Sequence, residues 1–176
     1  STGLIQSTEY YYRVRAVSGS NYSQYSDEAN ATTLTLNAPS TLTVTPLSAT
    51  QIRLDWTDNS TDETNFYIER KTGAGGTYAY IGNVGANVTT YTSTGLTQET
   101  TYYYRVRAYN GGNYSAYSNE ASATTLTLNA PTNLSATAIS STQIKLTWTD
   151  NSSDETGFSI ERKTGAGGTY AQVGTT

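Results

Sequence analysis

The chain repeats itself every 92 residues: Trp148 stands 92 positions after Trp56, Tyr102 after Tyr10, and Pro131 after Pro39. No insertion or deletion breaks that register anywhere in the 176 residues. A period this long holds a whole domain rather than one solenoid turn, so the sequence describes a tandem array of near-identical modules. The register also fixes the divisions. Residues 1–4 correspond to residues 93–96, and residues 174–176 to residues 82–84. Residues 1–36 therefore read as the last two strands of a module plus a linker, residues 37–128 as a complete module, and residues 129–176 as the N-terminal part of a further one. The stretch of the period that neither flanking piece supplies corresponds to residues 85–92, which read as a strand.

A domain of this size closes a single core without staples. Cysteine, methionine and histidine are all absent. That removes thiolate, thioether and imidazole ligands together with the commonest general base, which excludes soft-metal sites and Ser-His or Cys-His catalysis. No cofactor and no metal are expected. Charged residues make up 14% of the chain, against about 25% in an ordinary soluble protein. Thr, Ser, Asn, Gly and Tyr fill the gap, which suits a secreted or surface-exposed β-protein. A net charge of −4 with cations only singly or in pairs argues against a nucleic-acid partner. No apolar run approaches the roughly 20 residues that span a bilayer, so no membrane insertion is expected.

Within one period, strand signals recur about every 8 to 12 residues with turn clusters between them. Leu42 and Val44 alternate with threonines after Pro39. Ile52, Leu54 and Trp56 share one face of the next strand, with Arg53 and Asp55 on the other. A polar loop over residues 57–64 leads to Phe66 and Ile68 pointing inward and Tyr67 and Glu69 outward, and the glycine-rich stretch 72–77 predicts a turn. Leu96 precedes Tyr102 by six residues, after which Tyr102, Tyr104, Val106 and Ala108 alternate with Tyr103, Arg105 and Arg107. That spacing suits a tyrosine corner, whose buried ring keeps its hydroxyl bonded to backbone upstream. Leu4 and Tyr10 repeat it. The predicted core anchors are Trp56, Trp148, Leu96, Tyr102, Leu4 and Tyr10. Three differences between the copies fall on the outward parity: Arg53, Asp55 and Tyr67 become Lys145, Thr147 and Ser159, while Ile52, Leu54, Trp56, Phe66 and Ile68 recur unchanged. Burial explains this, since core deletions cost several kcal/mol and surface exchanges usually about 0.5 kcal/mol or less.

These features together, Pro39, residues 56–60 with 62–64, the strand 66–70 and the segment 96–108, resemble bacterial-type fibronectin type III repeats. The resemblance covers the whole chain. It implies an all-β, immunoglobulin-like sandwich of seven strands with Trp56 as the core tryptophan of the second strand. It implies no activity, because fold and function are separable.

Four features invite a functional reading. The loop from Asp58 to Glu63 offers oxygens at alternate positions like the start of a calcium loop, yet lacks the glycine and closing glutamate of an EF-hand. The plainer account is that Asp58 and Asp62 bond backbone amides in a tight turn. Two nearby carboxylates also suggest glycoside hydrolysis, but a narrow sandwich gives them no cleft. Tyr67, Tyr103, Tyr114 and Tyr117 lie on strand faces or nearby loops, where their rings would stack on sugars or on a neighbouring copy. The bland alternative is cross-strand pairing. Asn-x-Ser/Thr triplets, as at Asn59 and Asn113, are frequent in so polar a chain and decide nothing. Last, the linker 123–131 has no glycine and recurs letter for letter at 31–39, so it predicts a semi-rigid joint with Leu34, Leu36, Leu126 and Leu128 at the junctions.

The expected function is structural: a non-catalytic repeat segment of an extracellular filament, stalk or surface fibre, with itself as partner, module on module or chain on chain, head to tail. Strands in 1–36 and 129–176 would complete one another between chains, although a counterpart of residues 85–92 is missing from that joint. Cell-surface glycans are the second candidate partner. The rival functions are a spacer module of a secreted polysaccharide-degrading enzyme, or an adhesin, for which no Arg-Gly-Asp is present.

Overall fold

The computed structural model describes residues 1–176, and every regular element in it is a strand. Residues 1–36 form β1 (Glu9–Tyr12), β2 (Val17–Ser18), β3 (Asn21–Tyr22) and β4 (Ala29–Thr32). The complete module contributes β5 (Ser40–Pro46), β6 (Ile52–Thr57), β7 (Asn65–Thr72), β8 (Ala79–Gly85), β9 (Thr90–Ser93), β10 (Thr101–Asn110), β11 (Asn113–Tyr114) and β12 (Ala121–Thr124). Residues 129–176 add β13 (Thr132–Ala138), β14 (Ile144–Thr149), β15 (Ser159–Arg162) and β16 (Ala171–Thr175).

In the complete module β5, β6 and β9 make one antiparallel sheet, and β8, β7, β10 and the pair β11/β12 make the other. Counting β11 and β12 as one interrupted strand gives seven strands in two sheets. Alternation places Ile52, Leu54 and Trp56 of β6 opposite Phe66 and Ile68 of β7 and Tyr104, Val106 and Ala108 of β10, and all eight are buried in one cluster. Trp56 meets Phe66 edge-on, with centroids 5.7 Å apart. Each such apolar side chain contributes about 1.5–3 kcal/mol on full burial. Tyr102 and Leu96 are buried beside them, and the Tyr102 hydroxyl accepts from Thr97 N at 3.0 Å. Tyr10 makes the same bond with Ile5 N at 3.0 Å.

The last strand is interrupted for a chemical reason. Ser115 N and Ser118 N donate to Ala108 O and Val106 O, while the two serine hydroxyls accept from Ala108 N (2.9 Å) and Val106 N (3.1 Å). Side-chain oxygens thus take the place of the carbonyls a regular ladder would offer. Ser23 and Ser26 do the same for Ala16 N and Val14 N.

Three expectations need correction. Residues 8–16 and 21–33 are expected to be the last two strands of a module, and the structure interrupts both: β1 pairs with β4, and β2 with β3. In the complete module β10 runs unbroken because β7 pairs with it over eight positions; nothing plays that part beside residues 13–16. Residues 85–92 predict one strand, but β8 ends at Gly85 and β9 starts at Thr90, with a turn closed by Val88 N to Gly85 O between them. Finally, Trp148, Leu4 and Tyr10 are half-buried rather than buried: Trp148 meets Phe158 but lacks the strands that correspond to β9 and β10, and no second sheet covers Leu4 and Tyr10.

Candidate functional site

The loop 57–64 turns its polar side chains onto the linker. Asp58 Oδ1 accepts from Ser60 N at 2.9 Å, which fixes the turn. Asn59 Nδ2 then donates to Ala38 O (2.8 Å) and Ser40 Oγ (2.9 Å), Asn37 Nδ2 donates to Asn59 O (2.9 Å), and Ser60 Oγ donates to Asn37 O (3.0 Å). The chain around buried Pro39 is held from four directions. Asn151, Asn129 and Ser152 rebuild the clamp one period later. Behind the loop, Glu63 is buried and its Oε1 accepts from Asn87 N at 3.0 Å. Burial first, and then the neighbouring Glu63, push the Asp58 carboxyl up against the lowering pull of Ser60 N. Asp62 enters differently: its carbonyl accepts from Asn110 Nδ2, which ties the loop to the β10–β11 hairpin.

The linkers are stitched along their length. Buried Thr125 donates to Thr97 O at 2.6 Å and accepts from Thr100 N at 3.1 Å. Leu126 N reaches Ser48 O and Leu128 N reaches Gln98 Oε1, all within the complete module; Asn129 N then reaches Ser152 Oγ in the next. The first linker follows suit, with Thr33 Oγ1 donating to Ile5 O and Leu36 N to Gln6 Oε1. The leucines behave less uniformly than their spacing predicts. Leu36 is buried in the core of the module that follows it, whereas Leu34 is 65%, Leu126 41% and Leu128 44% exposed. Leu34 and Leu126 face out of the linker, and Leu128, the counterpart of Leu36, stays exposed beside a module piece of only two hairpins, β13–β14 and β15–β16.

Direct bonds also cross each junction. At the first, Gln6 Nε2 donates to Tyr114 O (2.9 Å) and Asn113 Nδ2 donates to Leu4 O (3.1 Å). At the second, Ala49 N donates to Asp154 Oδ2 at 2.5 Å. Gln6, Asn113 and Asp154 escape a reading of hydrophobic pattern; their one sequence signal is that Gln98, Asn21 and Asp62 stand unchanged at the matching positions.

The tyrosines form a continuous internal stack on the outer face of the β8-β7-β10 sheet. Tyr67 packs against Tyr80 (5.4 Å), Tyr109 (4.9 Å) and Tyr114 (5.5 Å). Arg107 lies over Tyr114 at 3.9 Å, Arg105 sits between Tyr117 (3.7 Å) and Tyr78 (4.0 Å), and Lys71 lies over Tyr103 at 4.9 Å. Glu69 anchors the stack through Arg105 (2.6 Å) and the Tyr117 hydroxyl (2.7 Å). Burial raises the Glu69 pKa, but Tyr117 and Arg105 outweigh it and hold the carboxyl below its ordinary value. Cations and neighbouring rings cap Tyr103, Tyr114 and Tyr117 on one side each, while Tyr80, 55% exposed, and Tyr114, 38% exposed, are the more open rings. Arg13 over Tyr25 and Arg15 over Tyr22 repeat the arrangement one period earlier.

The family model for the fibronectin type III domain matches residues 37–124. The chain is 35% identical over 177 residues to exoglucanase B of Cellulomonas fimi, which covers 90% of this chain and 16% of that enzyme's length. Among solved structures, a two-domain fibronectin type III segment of chicken tenascin superposes with a TM-score of 0.51 at 18% identity, over 70% of this chain and 68% of that one. Domains A168–A170 of titin give 0.51 at 22% identity, over 66% of this chain and 41% of theirs. At these identities the two structures speak to the fold alone. No helix is long and apolar enough to cross a membrane.

Proposed function

Because the chain belongs to the fibronectin type III family, we propose that it is a non-catalytic, extracellular spacer array that fixes the distance and orientation of whatever lies on either side of it. The observation that carries this reading is the held linker: the amides of Leu126 and Leu128 are bonded to the module before the joint, that of Asn129 to the module after it, and Ala49 N on Asp154 Oδ2 crosses between them. The likeness to an exoglucanase over 90% of the chain supports placing such an array as an accessory segment of a polysaccharide-degrading enzyme. A second reading, a filament or stalk in which modules stack head to tail, draws on the unbroken 92-residue period and on strands in 1–36 and 129–176 that are complementary parts of one module. Glycan capture by the tyrosine face is the weaker use, since cations already cap several of the rings on one side.

Light scattering over a concentration series, paired with sedimentation against insoluble β-glucan, separates these. A spacer stays monomeric near 18.9 kDa and remains in the supernatant. Mass that grows with concentration selects the filament, and depletion by the glucan selects a binding module; either result removes the spacer reading.

A further inference from the structure

We infer that the two poles of the module are complementary halves of a single docking contact, and that its partner is the adjacent module of the same array. In this contact the carboxylate at the position of Asp62 and Asp154 captures the free amide of the preceding module's first turn. The inference deepens the spacer reading and rests on it.

The two junctions each display part of the contact. Common to both is the glutamine that receives the linker amide, Gln6 Oε1 from Leu36 N and Gln98 Oε1 from Leu128 N. That bond fixes where the linker leaves the preceding module in both cases. The first junction adds Gln6 Nε2 to Tyr114 O and Asn113 Nδ2 to Leu4 O, so the corner before the tyrosine strand meets the β10–β11 hairpin of the next module. The second adds Asp154 Oδ2 on Ala49 N, so the loop between the second and third strands meets the turn after the first strand.

Asp62, the counterpart of Asp154, has no partner for its carboxylate and borders a cleft lined by Leu4, Gln6, Leu36 and Asn113. Ser141, the counterpart of Ala49, occupies the same turn, in which Ile139 N and Ser140 N both reach Gln143 O just as Leu47 N and Ser48 N reach Gln51 O. Its own N–H meets no acceptor and the residue is exposed, whereas Ala49 is 2% exposed. Gln98 Nε2 likewise lacks the acceptor that Gln6 Nε2 finds in Tyr114 O. Asn110 Nδ2 on Asp62 O keeps the loop and the hairpin at one pole, so the carboxylate and the asparagine reach the neighbour together. Because front and rear surfaces differ, the contact is heterologous and repeats in every module with the same rotation.

Ala49 and Ser141 furnish an internal control in the native chain. Amide hydrogen exchange, corrected for intrinsic rates, is expected to be slower at Ala49 than at Ser141 by about tenfold or more, because an opening must break a charge-assisted bond. Asp154→Ala is expected to raise exchange at Ala49 by a similar factor while amides in β7 and β10 keep their protection. Equal protection at the two amides in the native chain, or exchange at Ala49 that Asp154→Ala leaves unchanged, overturns the inference. A chain that stays monomeric and still shows equal amides would retain the spacer reading without this contact.

Discussion

The complete module and residues 129–176 carry nearly the same first four strands and differ in what faces them. Local structure is common to both. Trp148 meets Phe158 edge-on at 5.3 Å as Trp56 meets Phe66 at 5.7 Å. The first strand bulges at the same place in each, with Thr41 at φ 54° and Asn133 at φ 55°, and the loop clamps recur bond for bond. Burial does not carry over: Ile52 is fully buried and Ile144 is 66% exposed, Leu42 is 3% and Leu134 71% exposed. Hairpin geometry is thus written locally, whereas burial comes from β9 and β10, which extend the two sheets beyond β6 and β7.

The largest test of that contrast is the tryptophan pair. Trp56→Ala is expected to cost the central module about 3–5 kcal/mol in urea unfolding. Trp148→Ala should move the same transition by about 0.5 kcal/mol or less, and equal costs would break the comparison.

A smaller effect is expected at Asn119, whose side chain accepts from Leu42 N and donates to Leu42 O at 2.9 Å each, latching the first strand to the last. Asn119→Ala should lower stability by about 1–2 kcal/mol, the worth of two bonds, and raise exchange at the Leu42 amide but not at Leu134.

Glu69 adds a pH dependence. Its folded-state pKa is lowered, so its contribution is present above the ordinary carboxylate range and is lost as pH falls through the lowered value. Glu69→Gln should therefore lower the urea midpoint at pH 7 and narrow the gap between pH 7 and pH 3. An unchanged gap would mean that the arginine stack contributes no net charge interaction.

The smallest effect concerns the bulge. A β-branched residue at positive φ is strained, and asparagine tolerates that region better. Thr41→Asn, which copies the residue at 133, should stabilise the module by about 0.5–1 kcal/mol, measured as a shift in urea midpoint.

Much of the fold was legible because alternation reports burial directly: Ile52, Leu54, Phe66, Ile68 and Val106 all lie where their parity puts them. The tyrosine spacing likewise marks the corner at Tyr102. The joint was only partly legible. Leu34 and Leu36 share a parity, yet one is exposed and the other buried, because the linker passes from one module's edge to the next module's core between them. Ser115, Asn59 and Asp154 act through side-chain bonds to backbone elsewhere in the chain, and no period or propensity encodes such partners. The tyrosines invite a ligand when read one at a time. Their caps, Arg105, Arg107 and Lys71, become visible only when three strands lie side by side.

The account's central claim is a fixed angle between successive modules, and the absence of cysteine allows it to be tested with two labels alone. Nitroxides at exposed Ala86→Cys and Ala166→Cys span the second junction, and their separation is read by double electron–electron resonance. A single narrow distance distribution that broadens in Asp154→Ala is the predicted result. A broad distribution already present in the otherwise native chain, like that of a glycine-serine tether, would contradict it.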